Sequence, residues 1–115
     1  MPHVRRVGLE AEDAAAEYLS AQGYTILKRR FRARGGEIDL IGLDGKVLAF
    51  VEIKLRRSRE KDPLDSMNVK KQECIFAAAD SYLSKYDGPP CEVRYDVVTV
   101  VPNGMTLHKD AFRPR

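Results

Sequence analysis

The sequence predicts an α/β domain in which a mixed β-sheet is flanked by helices. Three observations carry that prediction. A first segment repeats apolar residues at helical spacing, a middle region reads as a β-meander joined by tight turns, and a second helical segment leads into a long apolar strand. The order is therefore α, β-meander, α, β, which is the pattern of helices packed on a sheet. The 115 residues suit one domain, taken as 1–115, and 43% hydrophobic with 32% charged residues suits a soluble globular chain.

Residues 8–22 read as the first helix. Ala11, Ala14, Ala15, Tyr18 and Leu19 recur as one apolar face, and Gly23 stands where a helix ends. Glu10, Asp13 and Glu17 point together to solvent, whereas Glu12 lies beside Leu19 at the border of the apolar face. Tyr24 to Phe31 reads as a strand that turns at Gly35-Gly36. Glu37–Ile41 and Lys46–Leu55 read as the arms of a hairpin closed by Asp44-Gly45. Residues 56–64 are charged and contain Pro63, hence a loop. Asp65 or Ser66 can cap a second helix over 67–86, with Ile75, Ala78, Tyr82 and Tyr86 as its stripe. Glu92–Val101 is a strong strand, and a last short strand is expected from Met105 to Lys109.

Several classes of function are excluded early. Cys74 and Cys91 fit no metal or disulfide pattern, and His3 and His108 lie far apart, so a zinc site on His and Cys is not expected. No apolar run reaches the ~20 residues of a membrane span, and Met1–Leu9 lacks the apolar centre of a signal peptide. The expectation is a cytoplasmic protein with reduced cysteines and no membrane partner. Net charge is +3, from 20 Lys+Arg against 17 Asp+Glu. The basic residues cluster: Lys28, Arg29, Arg30, Arg32 and Arg34; Lys54, Arg56, Arg57, Arg59 and Lys61; then Lys70 and Lys71. Three such clusters point to a polyanion partner, against the alternative of solvated faces.

The hairpin places acids unusually. A two-residue turn at Asp44-Gly45 would pair Ile41 with Leu48, Asp39 with Phe50 and Glu37 with Glu52. One face then shows Glu37, Asp39, Glu52 and Lys54; the other shows Ile38, Leu40, Val47, Ala49, Val51 and Ile53. Asp39 and Glu52 become diagonal neighbours, and like charges so close are unfavourable without a cation between them. Hard oxygen ligands suit Mg2+ (or Mn2+). Lys54 can orient a water for phosphodiester hydrolysis. The alternative is that Lys54 and nearby arginines neutralise the acids as a surface ion-pair network.

Asp39, twelve intervening residues and then Glu52-Ile53-Lys54 resemble the Asp…Glu-X-Lys signature of PD-(D/E)XK nucleases, the restriction-endonuclease-like fold. The resemblance is closer to the YraN family of small bacterial proteins. It rests on Glu12-Asp13, Tyr18-Leu19, Gly23-Tyr24, Gly36–Ile41, Phe50–Lys54, Lys71-Gln72 and Tyr95–Val98. It implies Asp39 and Glu52 as metal ligands with the Ile53 carbonyl a third, and Lys54 as the water-orienting group. Glu12 would complete the site directly or through water. The sequence departs from the pattern at Ile38, where proline is usual, and at Leu55, where a small hydroxyl residue is frequent in the YraN family. Similarity to archaeal Holliday junction resolvases, in size and in the helix-1 glutamate, implies branched or structured DNA as substrate.

The functional expectation is a metal-dependent DNA endonuclease, with a non-catalytic nucleic-acid-binding or adaptor protein as the alternative and a homodimer as an admissible assembly. Phosphate contacts are expected from Arg34, Arg56, Arg57, Arg59 and Lys71, the last of which could equally snorkel from the core edge. Asp96 is read as a structural acceptor, and His108 as a surface histidine without a partner. The aromatic residues sit at core spacing and offer no stacking platform for single strands.

Overall fold

The computed structural model describes residues 2–57, 67–89 and 91–114, with the side chains of residues 2–9 left aside. Its elements are α1 (Pro2–Ala21), β1 (Tyr24–Ala33), β2 (Gly36–Asp44), β3 (Val47–Leu55), α2 (Val69–Ser84), β4 (Glu92–Val101) and β5 (Gly104–His108). The five strands form one mixed sheet in sequential order, antiparallel except for the parallel pair β3–β4 that α2 connects. The expected α/β architecture is present.

The sheet separates two cores. On one face α1 covers Leu40, Ala49, Val51 and Val98 with Ala15, Ala16 and Leu19. On the other, α2 brings Ile75, Ala78 and Ala79 onto Ile38, Ile41, Leu48, Phe50 and Val97. A sheet covered on both sides explains why β3 and β4 read as near-continuous apolar runs.

Several boundaries differ from the sequence expectation. Helix α1 begins at Pro2, a residue pre-set for the first helical position. The segment before Leu9 carries no apolar stripe to announce it. Its buried face is Glu12, Ala15, Ala16 and Leu19, so Glu12 sits on the stripe and Tyr18 beside it. Helix α2 runs only from Val69 to Ser84 rather than over 67–86, which leaves Tyr86 beyond its end; it is capped by Asn68, whose side chain accepts from the Lys71 N–H at 2.9 Å. The expected caps Asp65 and Ser66 lie outside the described residues.

The hairpin register also differs, by two residues. Asp44 pairs with Val47, so the turn residues are Gly45 and Lys46 rather than Asp44 and Gly45. Gly45 has φ +63°, and Lys46 is not among the positive-φ residues, which matches a turn with glycine first. Asp44 is needed elsewhere. Its carboxylate is gripped by Arg94 at 2.8 Å and Lys109 at 3.0 Å.

That grip belongs to a buried network at the Gly45 end of the sheet. Asp96, fully buried, accepts from the Tyr24 hydroxyl at 2.7 Å, the Arg94 guanidinium at 2.8 and 2.9 Å, and the Asp110 N–H at 2.9 Å. Here a buried carboxylate has a cation and neutral donors for its lone pairs, which is the condition for tolerating it. The structural reading of Asp96 fits. His108 is half-buried and meets Thr99 Oγ1 at 3.1 Å, so it is not the partnerless surface residue expected.

At the other end, the β1–β2 turn presses against α2. A Cβ on Gly36 would lie 2.1 Å from the Cys74 carbonyl oxygen. Neither backbone can yield without moving the helix. Gly36→Ala should therefore lower the urea midpoint, at a cost of about 1–3 kcal/mol for an overpacked contact. An unchanged midpoint would show that α2 is not seated on this turn.

Candidate active site

The site begins where backbone pairing ends. The β2–β3 ladder runs from Asp44↔Val47 to Leu40↔Val51 and stops. The next pair in that register would be Asp39 and Glu52, directly opposite rather than diagonal. Instead of strand pairing, Asp39 Oδ2 accepts the Ile53 N–H at 2.8 Å. A strand residue directs its N–H and C=O toward the same neighbour. The Ile53 carbonyl thus faces the gap that β2 leaves.

Backbone strain accompanies this divergence. Arg30, on the β1 partner side, has φ +52°, which is sterically unfavourable for a non-glycine residue. The expected alternation of faces breaks here: Ile38 joins Ile41 in the α2-side core, although Leu40 lies on the α1 side. Arg29 and Arg30 likewise both turn to α1, pairing with Asp13 at 2.5 Å and Glu12 at 2.9 Å. The expected opposition of Glu37 and Glu52 is absent. Glu37 pairs across to Arg32 on β1 instead, with the charges 3.6 Å apart.

Glu52 is the anomalous group. It is buried, and its Oε2 has no hydrogen-bond partner among the described residues. The Lys71 ammonium from α2 stands 3.7 Å from that oxygen, beyond hydrogen-bond length. Burial pushes the Glu52 carboxyl up to about 8, and the adjacent Asp39 carboxylate adds to the rise against the pull of Lys71 and Lys54. Lys54, two residues along the same face, is half-buried, and its ammonium is depressed mainly by burial.

A cleft of about 190 Å3 opens beside Asp39, lined by Ala11, Glu12, Arg30, Glu37, Asp39, Ile53 and Leu55, with Glu52 and Lys54 behind its wall rather than on it. Glu12 thus shares the cleft with Asp39 but spends one oxygen on Arg30. Among the described residues, no three acidic, histidine or cysteine side chains converge as a ready-made metal cage. Two carboxylates and a carbonyl do fit a magnesium ion, which keeps several of its waters. The orphaned Glu52 oxygen and its raised pKa are what such a cation would relieve.

The basic residues divide. Arg29, Arg30 and Arg32 are engaged by acids of the fold, whereas Arg34 is exposed at the β1–β2 turn. Arg57 is exposed and Arg56 half-buried immediately after Lys54, while Arg59 lies outside the described residues. Lys71 is brought to the acids rather than left at a distant core edge. The pairing of Arg30 with Glu12 was not legible in sequence, because only the left-handed backbone at Arg30 turns it to α1.

This arrangement, a mixed sheet between two helices with Asp39 and Glu-X-Lys on diverging strands, defines an α/β protein compatible with the restriction-endonuclease-like fold. Within that class the chain belongs to the UPF0102 family. The profile of the "uncharacterised protein family UPF0102" matches residues 11–100, a span that holds Glu12, Asp39, Glu52, Lys54 and Lys71. The chain is 48% identical over 99 residues to a UPF0102 protein of Symbiobacterium thermophilum, covering 85% of this chain and 84% of that protein. It is 46% identical over 100 residues to one of Chlorobium chlorochromatii, covering 86% and 77%. A Rhodopseudomonas palustris member is 41% identical over 104 residues, covering 90% and 79%. The YraN resemblance read from the motifs is this family. Among the described residues, no helix is long and apolar enough to cross a membrane.

The raised Glu52 carboxyl has a consequence for stability. The metal-free fold holds this proton to higher pH than the unfolded chain does. Its contribution is therefore full below about 4.5 and is lost as pH rises toward about 8. Glu52→Gln keeps the shape without the ionisation. With EDTA present, the thermal midpoint of the variant should gain on wild type steadily between those two pH values. A difference that stays constant across the range would contradict the assignment.

Proposed function

We propose that the protein is a divalent-metal-dependent DNA endonuclease acting on branched or otherwise structured DNA. The observation that carries this reading is Asp39 beside a buried Glu52 whose Oε2 has no hydrogen-bond partner among the described residues, with Lys54 on the same face as Glu52. Asp39, Glu52 and the Ile53 carbonyl would hold Mg2+ or Mn2+, and Glu12 would serve the site through water. A divalent ion held there would supply positive charge to the scissile phosphate and lower the cost of generating the nucleophile. The protein's own groups do the rest. Lys54, whose ammonium burial makes easier to deprotonate, orients the attacking water. Arg34, Arg56, Arg57 and Lys71 supply cations for the phosphates flanking the scissile bond, contacts that position the duplex without reading its sequence.

A non-catalytic binder is the second reading, and one feature favours it. Cations of the chain already stand against the acids, Arg30 on Glu12 and Lys71 near Glu52. One experiment separates the two. A nicking assay with Mg2+ or Mn2+ is run on linear, flapped and four-way DNA, with wild type and Lys54→Ala. The nuclease reading predicts metal-dependent cleavage by wild type and a loss of about 10²–10⁴-fold in Lys54→Ala. DNA affinity should change only by one charge among many. Cleavage by Lys54→Ala at the wild-type rate would contradict the role of Lys54, and no cleavage of any substrate by wild type would favour the binder.

A further inference from the structure

A second concavity lies on the opposite side of the β1–β2 hairpin from the acid cleft. It is a groove of about 800 Å3 between the edge strand β1 and the C-terminal half of α2. Its wall carries Phe31, Tyr82 and Tyr86, and its rim carries Lys28, Arg34 and Lys85. The spacing of Tyr82 and Tyr86 in the sequence suggests core residues of one helix, yet α2 ends at Ser84, Tyr86 lies just beyond it, and both rings are only half-buried. Tyr82 is braced from behind by edge-on contacts with Phe31 at 5.3 Å and Phe50 at 6.0 Å. Tyr86 follows just past the helix end, its ring 6.2 Å from that of Tyr82 and tilted by 33°. Gly88 lets it lie there, since a Cβ at that position would sit 2.4 Å from the tyrosine oxygen. Two aromatic rings are thus held in fixed orientations beside open space.

The charge around them is one-sided. Lys28, Arg34 and Lys85 are exposed and have no carboxylate partner among the described residues. Arg32 also lines the groove, and among the described residues Asp87 is the one acid on its wall. Aromatic faces inside a cationic rim match unpaired nucleotides, whose bases stack while their phosphates meet Lys and Arg. The groove runs along β1 from Leu27 to Arg34, so it opens at the hairpin tip beyond which the acid cleft begins.

We propose that this groove binds the single-stranded arm of a flapped or splayed DNA, with bases stacked on Tyr82 and Tyr86 and phosphates on Lys28, Arg34 and Lys85. The proposal rests on the nucleic-acid reading above and specifies the substrate feature that reading leaves open. Arg34 at the tip would then touch the strand between groove and cleft, placing the junction of single and double strand at the acids.

The test uses fluorescence anisotropy with Ca2+ in place of Mg2+, on a duplex, the same duplex with a single-stranded flap, and an oligo-dT strand. Wild type should bind the flap and oligo-dT more tightly than its affinity for duplex alone predicts. Tyr86→Ala should lose about tenfold on both, the value of a lost base stack, and change little on duplex. Tyr86→Phe keeps the ring and should restore binding, which a merely unfolded Tyr86→Ala would not explain if its duplex affinity survives. Equal affinity of wild type for flapped and plain duplex, or a flap preference untouched by Tyr86→Ala, overturns the groove while leaving the acid site standing. Failure of wild type to bind any DNA overturns both readings together. Sedimentation gives the remaining outcome: a homodimer weakened by Tyr86→Ala without a change in DNA affinity would assign the groove to a second copy of the chain.

Discussion

One hydrogen bond organises the site. Backbone pairing between β2 and β3 stops at Leu40↔Val51, and the Asp39 carboxylate takes up the next donor, the Ile53 N–H. Had the ladder continued, that N–H would have met a carbonyl and the strands would have stayed closed. Because a side chain replaces the carbonyl, β2 diverges, a cleft opens, and the Ile53 carbonyl turns toward it. The same bond fixes Asp39 against Glu52. Two carboxylates are thereby held together in a place where burial already opposes ionisation.

The two ends of the sheet make an instructive contrast. At the Gly45 end, Asp96 is more deeply buried than Glu52, yet four donors from Tyr24, Arg94 and Asp110 surround it. At the Gly36 end, Glu52 has an oxygen without a hydrogen-bond partner among the described residues and a lysine too distant to bond it. A fold that can satisfy one buried carboxylate so fully leaves the other short of hydrogen bonds among the described residues, next to the Asp39 that lines a cleft. Such local conflicts collect where proteins bind something. The strained Arg30 backbone lies at the same end, holding Glu12.

Much of this was legible in the sequence, and the misses have physical causes. The strands, the two helices and the parity that sets Glu52 and Lys54 on one face follow from period-2 and period-3.6 patterns, which are local. The exact hairpin partners did not follow, because Asp44-Gly45 resembles a turn but Asp44 is captured by Arg94 and Lys109 from distant parts of the chain. Moving the turn by one residue shifted the register by two, which changed every partner, kept Glu52 and Lys54 on one face, and set Asp39 next to Glu52 in register, while Ile38 crossed to the α2 side. Glu12 was visible as a carboxylate near an apolar stripe; its counterion was not, since a left-handed Arg30 breaks the alternation on which strand reading depends. Tyr82 and Tyr86 matched a buried stripe, and only the packing of β1 against α2 shows that the stripe runs out into a groove.

The central claim is that Asp39 and Glu52 are held together to receive a divalent cation. Its most direct test is a calorimetric titration of Mn2+ into wild type and into Asp39→Asn/Glu52→Gln, in two buffers of different ionisation enthalpy near pH 7. The account predicts saturable binding to wild type with proton release, since Glu52 must ionise to take the metal, and no such binding to the double variant while its circular dichroism is unchanged. Equal Mn2+ binding by the two proteins would place the cation elsewhere and leave the opposed carboxylates without this explanation.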